Sequence, residues 1–122
     1  MYKPEISQAQ RMFNQVVRHL KGQGKQSRSG VGGTGCRYRG DGGTSCAVGC
    51  LISDKFYQPK FEGSALVGIV KFLPPRFGGN YALLARLQNV HDERGPDLWP
   101  EALRRTAQDF RLEVPAELET WA

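Results

Sequence analysis

Three cysteines and two histidines are the residues of this 122-residue chain best suited to chemistry. The thiols are spaced Cys36-x9-Cys46-x3-Cys50, and the imidazoles are His19 and His91. Zinc favours tetrahedral thiolate and imidazole ligands. Cys36, Cys46, Cys50 and His91 could supply such a set, and bound zinc would hold down a glycine-rich neighbourhood. The tight Cys-x2-Cys knuckle is absent. A thiol nucleophile is the enzymatic alternative: Cys46 attacks, His91 takes its proton, and Asp92 or Asp41 orients the ring. Asp92 adjoins His91, so on a helix its side chain points roughly 100° away around the axis. The plainer reading makes Cys46 and Cys50 small buried apolar residues and both histidines half-buried neighbours of apolar stripes. The residues lean against catalysis and against any cofactor, with zinc the one cofactor they admit.

The segment Cys36-Arg37-Tyr38-Arg39-Gly40-Asp41-Gly42-Gly43 is the best candidate for binding. On a strand Arg37 and Arg39 share one face and Tyr38 takes the other. Two guanidinium forks on one face suit phosphate or carboxylate. Gly40 and Asp41 open the turn, whose amides could add a backbone nest. No Gly-Lys-Ser/Thr follows the glycine run, so it is not a phosphate loop of the nucleotide-hydrolase type.

Charge points the same way. Residues 1–43 carry eight Lys or Arg, Lys25 and Arg28 among them, against Glu5 and Asp41, while residues 44–122 carry nine against ten acids. Between Glu5 and Asp41 there is no acid. Such asymmetry predicts an anionic partner: a host protein's acidic face, a nucleotide messenger or nucleic acid. No apolar run reaches the roughly 20 residues that span a bilayer, and the start lacks a secretory apolar stretch. These features predict a cytosolic protein with free thiols.

Positioning falls to a mainly helical frame. Ser7 and Gln10 form a capping box. Ile6, Ala9, Met12, Phe13, Val16, Val17 and Leu20 then recur at helical spacing, and Gly22 and Gly24 end the helix. Nine of the 15 glycines fall in residues 22–43, and residues 25–35 read as a flexible loop, because few apolar groups offset the ordering entropy. Cys36–Arg39 and Thr44–Val48 read as the strands of a short hairpin across Asp-Gly. Ser53–Tyr57 reads as one helical turn and Ala65–Leu73 as a short buried helix, broken by Pro74-Pro75. Tyr81, Leu84, Leu87 and His91 stripe the next helix. Pro100 opens another, with Leu103, Thr106, Ala107 and Phe110 inward. Residues 115–122 read as a tail docked by Leu118 or Trp121. The expected fold is one α+β domain over 1–122, mainly helical, with three or more helices packed around a short β-hairpin.

Several spaced motifs then agree in order. Val16-Val17-Arg18-His19-Leu20, Gln23-Gly24 and Ser27, the Cys36-to-Gly40 strand, Asp41-Gly42, and Cys46-Ala-x-Gly-Cys50-Leu-Ile are joined by Tyr57, Glu62-Gly63 and Leu87-Gln88-Asn89-Val90-His91-Asp92. Together they resemble a group of small uncharacterised proteins of bacteria, prophages and tailed phages. The segment around Gly30–Gly35 departs as an insertion, and Ser53 stands where that group suggests proline. The resemblance supplies no activity. It implies a phage-related accessory protein, of a kind that binds and blocks a host factor, as in anti-defence, or sequesters a nucleotide. The reading is therefore a non-catalytic accessory protein that engages an anionic partner. The alternatives are a small hydrolase using Cys46 and His91 and a zinc-stabilised adaptor.

Overall fold

The computed structural model describes residues 6–28 and 36–122. The first helix, α1 (Gln8–Gln23), forms as its caps dictate. The Ser7 hydroxyl accepts from the Gln10 amide at 3.1 Å. Gly24 closes the other end in the left-handed region, its N–H donating to the Leu20 carbonyl. Met12, Phe13, Val16, Val17 and Leu20 form the buried face. Each such side chain stabilises the fold by roughly 1.5–3 kcal/mol relative to exposure.

The expected β-hairpin is not there. Among the described residues there is no strand, only two isolated antiparallel bridges, Arg28 with Cys36 and Arg39 with Ser45. The fold is mainly helical rather than α+β. The cause lies in where the main-chain donors go. A hairpin needs its amides and carbonyls to face each other across the turn. Here the Arg37 amide bonds to the Ser27 carbonyl and the Asp41 amide to the Arg28 carbonyl. The Tyr38 and Arg39 amides go instead to the Glu62 carboxylate. What remains is two bonds across the turn, from the Gly40 amide to the Thr44 carbonyl and from the Cys46 amide to the Tyr38 carbonyl, around a 3-10 turn, Asp41–Gly43, with Gly42 and Gly43 at positive φ. A second 3-10 turn, Gly49–Leu51, crosses so close to residue 38 that a Cβ on Gly49 would lie 2.0 Å from the Tyr38 carbonyl oxygen.

The expected turn at 53–57 is present: the Ser53 carbonyl accepts from the Phe56 and Tyr57 amides. The expected Ala65–Leu73 helix is shorter. It comprises α2 (Leu66–Ile69) and a 3-10 turn, Val70–Phe72, and Val67 and Phe72 stay exposed. Pro75 then starts α3 (Pro75–Gly79), because proline fits a first helical turn as well as it ends a helix. The long helices α4 (Tyr81–Glu93) and α5 (Trp99–Asp109) pack on each other, and α6 (Ala116–Glu119) lies against α1 and α5. Asn80 precedes α4, but its side chain donates to the Arg76 carbonyl rather than capping α4. Tyr81, expected inward, is 39% exposed.

The tail docks through Leu118, which is fully buried. Arg104 fastens it by donating to the Leu118 and Trp121 carbonyls. The core is one apolar cluster in which Trp99, Phe13, Phe61 and Phe77 are the largest buried side chains. No helix among the described residues is long and apolar enough to cross a membrane. The glycine-rich loop expected over 25–35 lies, from 29 to 35, outside the described residues.

Candidate functional site

The C-terminal turn of α4 carries the densest polar constellation. His91 is fully buried and stacks on Trp99, with centroids 5.5 Å apart and planes at 24°. The Ser27 amide donates to Nε2 at 3.0 Å, and Nδ1 lies 2.7 Å from the Asp92 Oδ1. An amide can only donate, so Nε2 is the acceptor and Nδ1 carries the proton it gives to Asp92. Both ring nitrogens are thereby committed. Asp92 also accepts from the Gln88 amide at 2.9 Å, and the Gln88 carbonyl oxygen accepts from the Val48 amide at 3.0 Å. Gln26 closes the helix end by donating to the His91 and Arg94 carbonyls, which α4 leaves unpaired. Burial alone would raise the Asp92 pKa. The bonds from His91 and Gln88 outweigh it and hold the carboxyl below its usual range.

Cys36 joins this cluster and Cys46 and Cys50 do not. The would-be ligand atoms of Cys36, His91 and Asp92 lie within 4.8 Å of one another. Cys46 Sγ accepts instead from the Gly49 amide, and Cys50 Sγ donates to the Ala47 carbonyl. The alternative four-ligand zinc set is therefore not assembled. The three-residue cluster suits a metal poorly, because His91 presents an N–H, not a lone pair, toward Asp92.

The nucleophile reading meets a similar obstacle. Burial pushes Cys46 and Cys50 up to about 12. Burial and then the Asp92 charge push Cys36 up to about 11. A thiol is reactive as thiolate, and Cys46 has no free imidazole to deprotonate it. A cavity of about 500 Å³ does open beside Cys36, between Tyr38, Tyr81, Gln88 and Asp92. No basic side chain among the described residues lines it.

The two arginines of the predicted binding segment are held by carboxylates from later in the chain. Arg37 Nε lies 3.6 Å from Glu62, and Arg39 lies 2.8 Å from Asp54. Arg39 also donates to the Ile52 carbonyl and sits 4.1 Å from the Tyr57 ring centroid. Glu62 is the organiser: Oε1 accepts from the Tyr38 amide, and Oε2 from the Arg39 amide and the Tyr57 hydroxyl. Tyr38 is buried and donates its hydroxyl to the Ser64 carbonyl. Gly40 lets two backbones touch, since a Cβ there would lie 2.7 Å from the Arg28 carbonyl. Asp41 is exposed at the turn, and Arg28 Nε donates to Gln26.

Lys25 lies elsewhere, in a basic groove of about 460 Å³ along the end of α1. Arg18, His19 and Lys25 line one side and Gly42, Gly43 and Thr44 the other, with no carboxylate among the lining residues. His19 Nε2 donates to the Ser45 carbonyl at 2.7 Å, and the Gln23 amide grips both the N–H and the C=O of Ser45. These bonds pin the turn against α1, so the groove has a fixed floor. Arg18 approaches Glu117 only at 4.0 Å, both side chains being well exposed, a pairing of little energetic weight.

A second basic region escaped the sequence reading. Lys60 and Lys71 lie over the exposed ring of Phe72, at 4.4 and 5.3 Å from its centroid. The signal was present as the acid-free stretch from Gly63 to His91. It was masked because Phe72 falls in an apolar run that reads as buried. No protein-family model matches this chain, and neither a curated protein nor a solved structure matches it.

Proposed function

We propose that this chain is a non-catalytic binding protein that engages an anionic partner along the groove at the end of α1. The observation that carries the reading is a groove whose charged side chains, Arg18 and Lys25, are both basic, beside a turn pinned to the same helix. A phosphate or acidic side chain at it meets cations that are not neutralised by carboxylates among the described lining residues. The candidates remain a host protein's acidic face, a nucleotide messenger and nucleic acid. Arg37 and Arg39 are not among the groove's lining residues and are engaged by Glu62 and Asp54.

The thiols and His91 support the non-catalytic part of the reading. Every thiol has a raised pKa, and His91 has no ring nitrogen to spare. The test uses inorganic pyrophosphate as probe in titration calorimetry at low salt, against the native protein and an Arg18→Glu, Lys25→Glu variant. Saturable binding to the native chain, lost on charge reversal, is expected. Binding retained by the variant would refute the groove. A cyclic dinucleotide incubated with the protein should come back intact, and new products would refute the non-catalytic reading.

A further inference from the structure

Exposed aromatic rings are usually ringed by neutral or paired groups. Phe72 is 41% exposed and carries two ammonium groups over it, those of Lys60 and Lys71. Among the described residues neither lysine has a carboxylate within ion-pair distance. One carboxylate, Glu62, occurs between Lys55 and His91, and it is consumed by the Tyr38 and Arg39 amides and the Tyr57 hydroxyl. The ring is fixed from beneath. Phe61, fully buried, lies 6.1 Å from it at a 30° tilt, and Tyr57 meets Phe61 edge-on at 6.2 Å. Arg39 in turn covers Tyr57. Val67, 67% exposed, lies on the short helix just before Phe72.

We propose that Phe72, with Lys60 and Lys71, is a stacking platform for single-stranded nucleic acid. The chemistry that would recognise this patch is a flat π face next to two negative charges. A nucleobase supplies the first and its flanking phosphates the second, and base stacking on an aromatic ring with lysines tracking the backbone is sequence-tolerant. Among the described residues the ammonium groups are held only by a cation–π contact, so a base can replace them over the ring while they move onto phosphate. An acidic protein face offers the charge without the stacking partner. The platform stands on different residues from the α1 groove and does not depend on it.

Fluorescence anisotropy of a labelled oligothymidylate at low salt is the test. Phe72→Leu keeps apolar contact with Phe61 but removes the π face, and a melting curve checks that it folds. It should weaken binding about tenfold, the loss of one stacked base. Phe72→Trp should preserve or tighten binding. Lys60→Gln with Lys71→Gln should lower the slope of log affinity on log salt by about 1.4, two single-strand phosphate contacts. The Arg18→Glu, Lys25→Glu groove variant should keep the Phe72 dependence. Three results would overturn the platform: no binding at low salt; Phe72→Leu binding like the native chain; or Phe72→Leu releasing the protein from phosphatidylserine vesicles while oligothymidylate affinity is unchanged.

Discussion

Replacing Glu62 by glutamine changes one atom and should destabilise the fold severely. The Glu62 carboxylate takes the Tyr38 amide at 2.9 Å on one oxygen and the Arg39 amide at 3.0 Å on the other. The Tyr57 hydroxyl adds a third bond at 2.7 Å and Arg37 a charge at 3.6 Å. Glutamine has one acceptor oxygen, so in either orientation its NH2 faces a main-chain N–H. One amide is stranded, and the other loses a charged acceptor. A hydrogen bond to a charged group nets roughly 1.5–3 kcal/mol, and a stranded buried donor costs about 1–3 kcal/mol. These overlap, so the expected loss is about 3 kcal/mol. A chain of this length has a total of roughly 6–18 kcal/mol. The side chain is only 11% exposed, so solvent screening discounts the figure little. Urea unfolding followed by the fluorescence of Trp99 and Trp121 measures it. Tm should drop by about 10 °C or more, and amide exchange at residues 38 and 39 should quicken before global unfolding. A loss below about 0.5 kcal/mol would refute the claim that the Glu62 carboxylate is a main support of this segment.

Other consequences are read by simpler means. Gly49→Ala should abolish folding, seen as loss of near-ultraviolet dichroism, because its Cβ would lie 2.0 Å from a main-chain oxygen; a native-like spectrum would contradict the crossing. The thiols bind protons more tightly folded than unfolded, moving from 9.0 to about 11 for Cys36 and about 12 for Cys46 and Cys50. Their contribution is therefore complete below pH 9 and drains away as pH rises from there to about 12. Tm should fall across that window, and Cys46→Ala should flatten the fall; an unchanged slope would count against burial as the cause. Long-range proton–nitrogen correlation of His91 should show the Nδ1-protonated tautomer at neutral pH, and addition of zinc should leave it in place. A zinc-dependent switch of tautomer would revive a metal site at Cys36, His91 and Asp92.

The helices were legible because their signals are local. Ser7, Gly24 and the Met12-to-Leu20 stripe are each read within one or two turns, and α1 obeys them. The same holds for Pro100 at the start of α5 and for Leu118 as the tail's anchor. The hairpin was misjudged because Asp-Gly and alternating residues specify a reversal, not what the flanking amides bond to. That was decided by Glu62, more than twenty residues away. His91 illustrates a second limit. Its place on the α4 stripe was readable, whereas the bond from Ser27 that fixes its tautomer spans 64 positions. The plainer reading of Cys46 and Cys50 as small apolar residues fits the packing, Cys46 fully buried and Cys50 half-buried against the core, whereas the placing of Cys36 beside Asp92 was not readable from spacing. Net charge located the basic front third correctly as a count, but not which cations later acids would absorb. Among the described residues Lys25 escaped such pairing, and Arg37 and Arg39 did not.

The account stands most directly on a titration of the isotope-labelled protein with pyrophosphate, followed in amide proton–nitrogen spectra. It predicts shifts concentrated at residues 18–25 and 42–44, saturating, and erased by moderate salt. Shifts confined to the cavity beside Cys36 and Tyr38, or none at all, would contradict it.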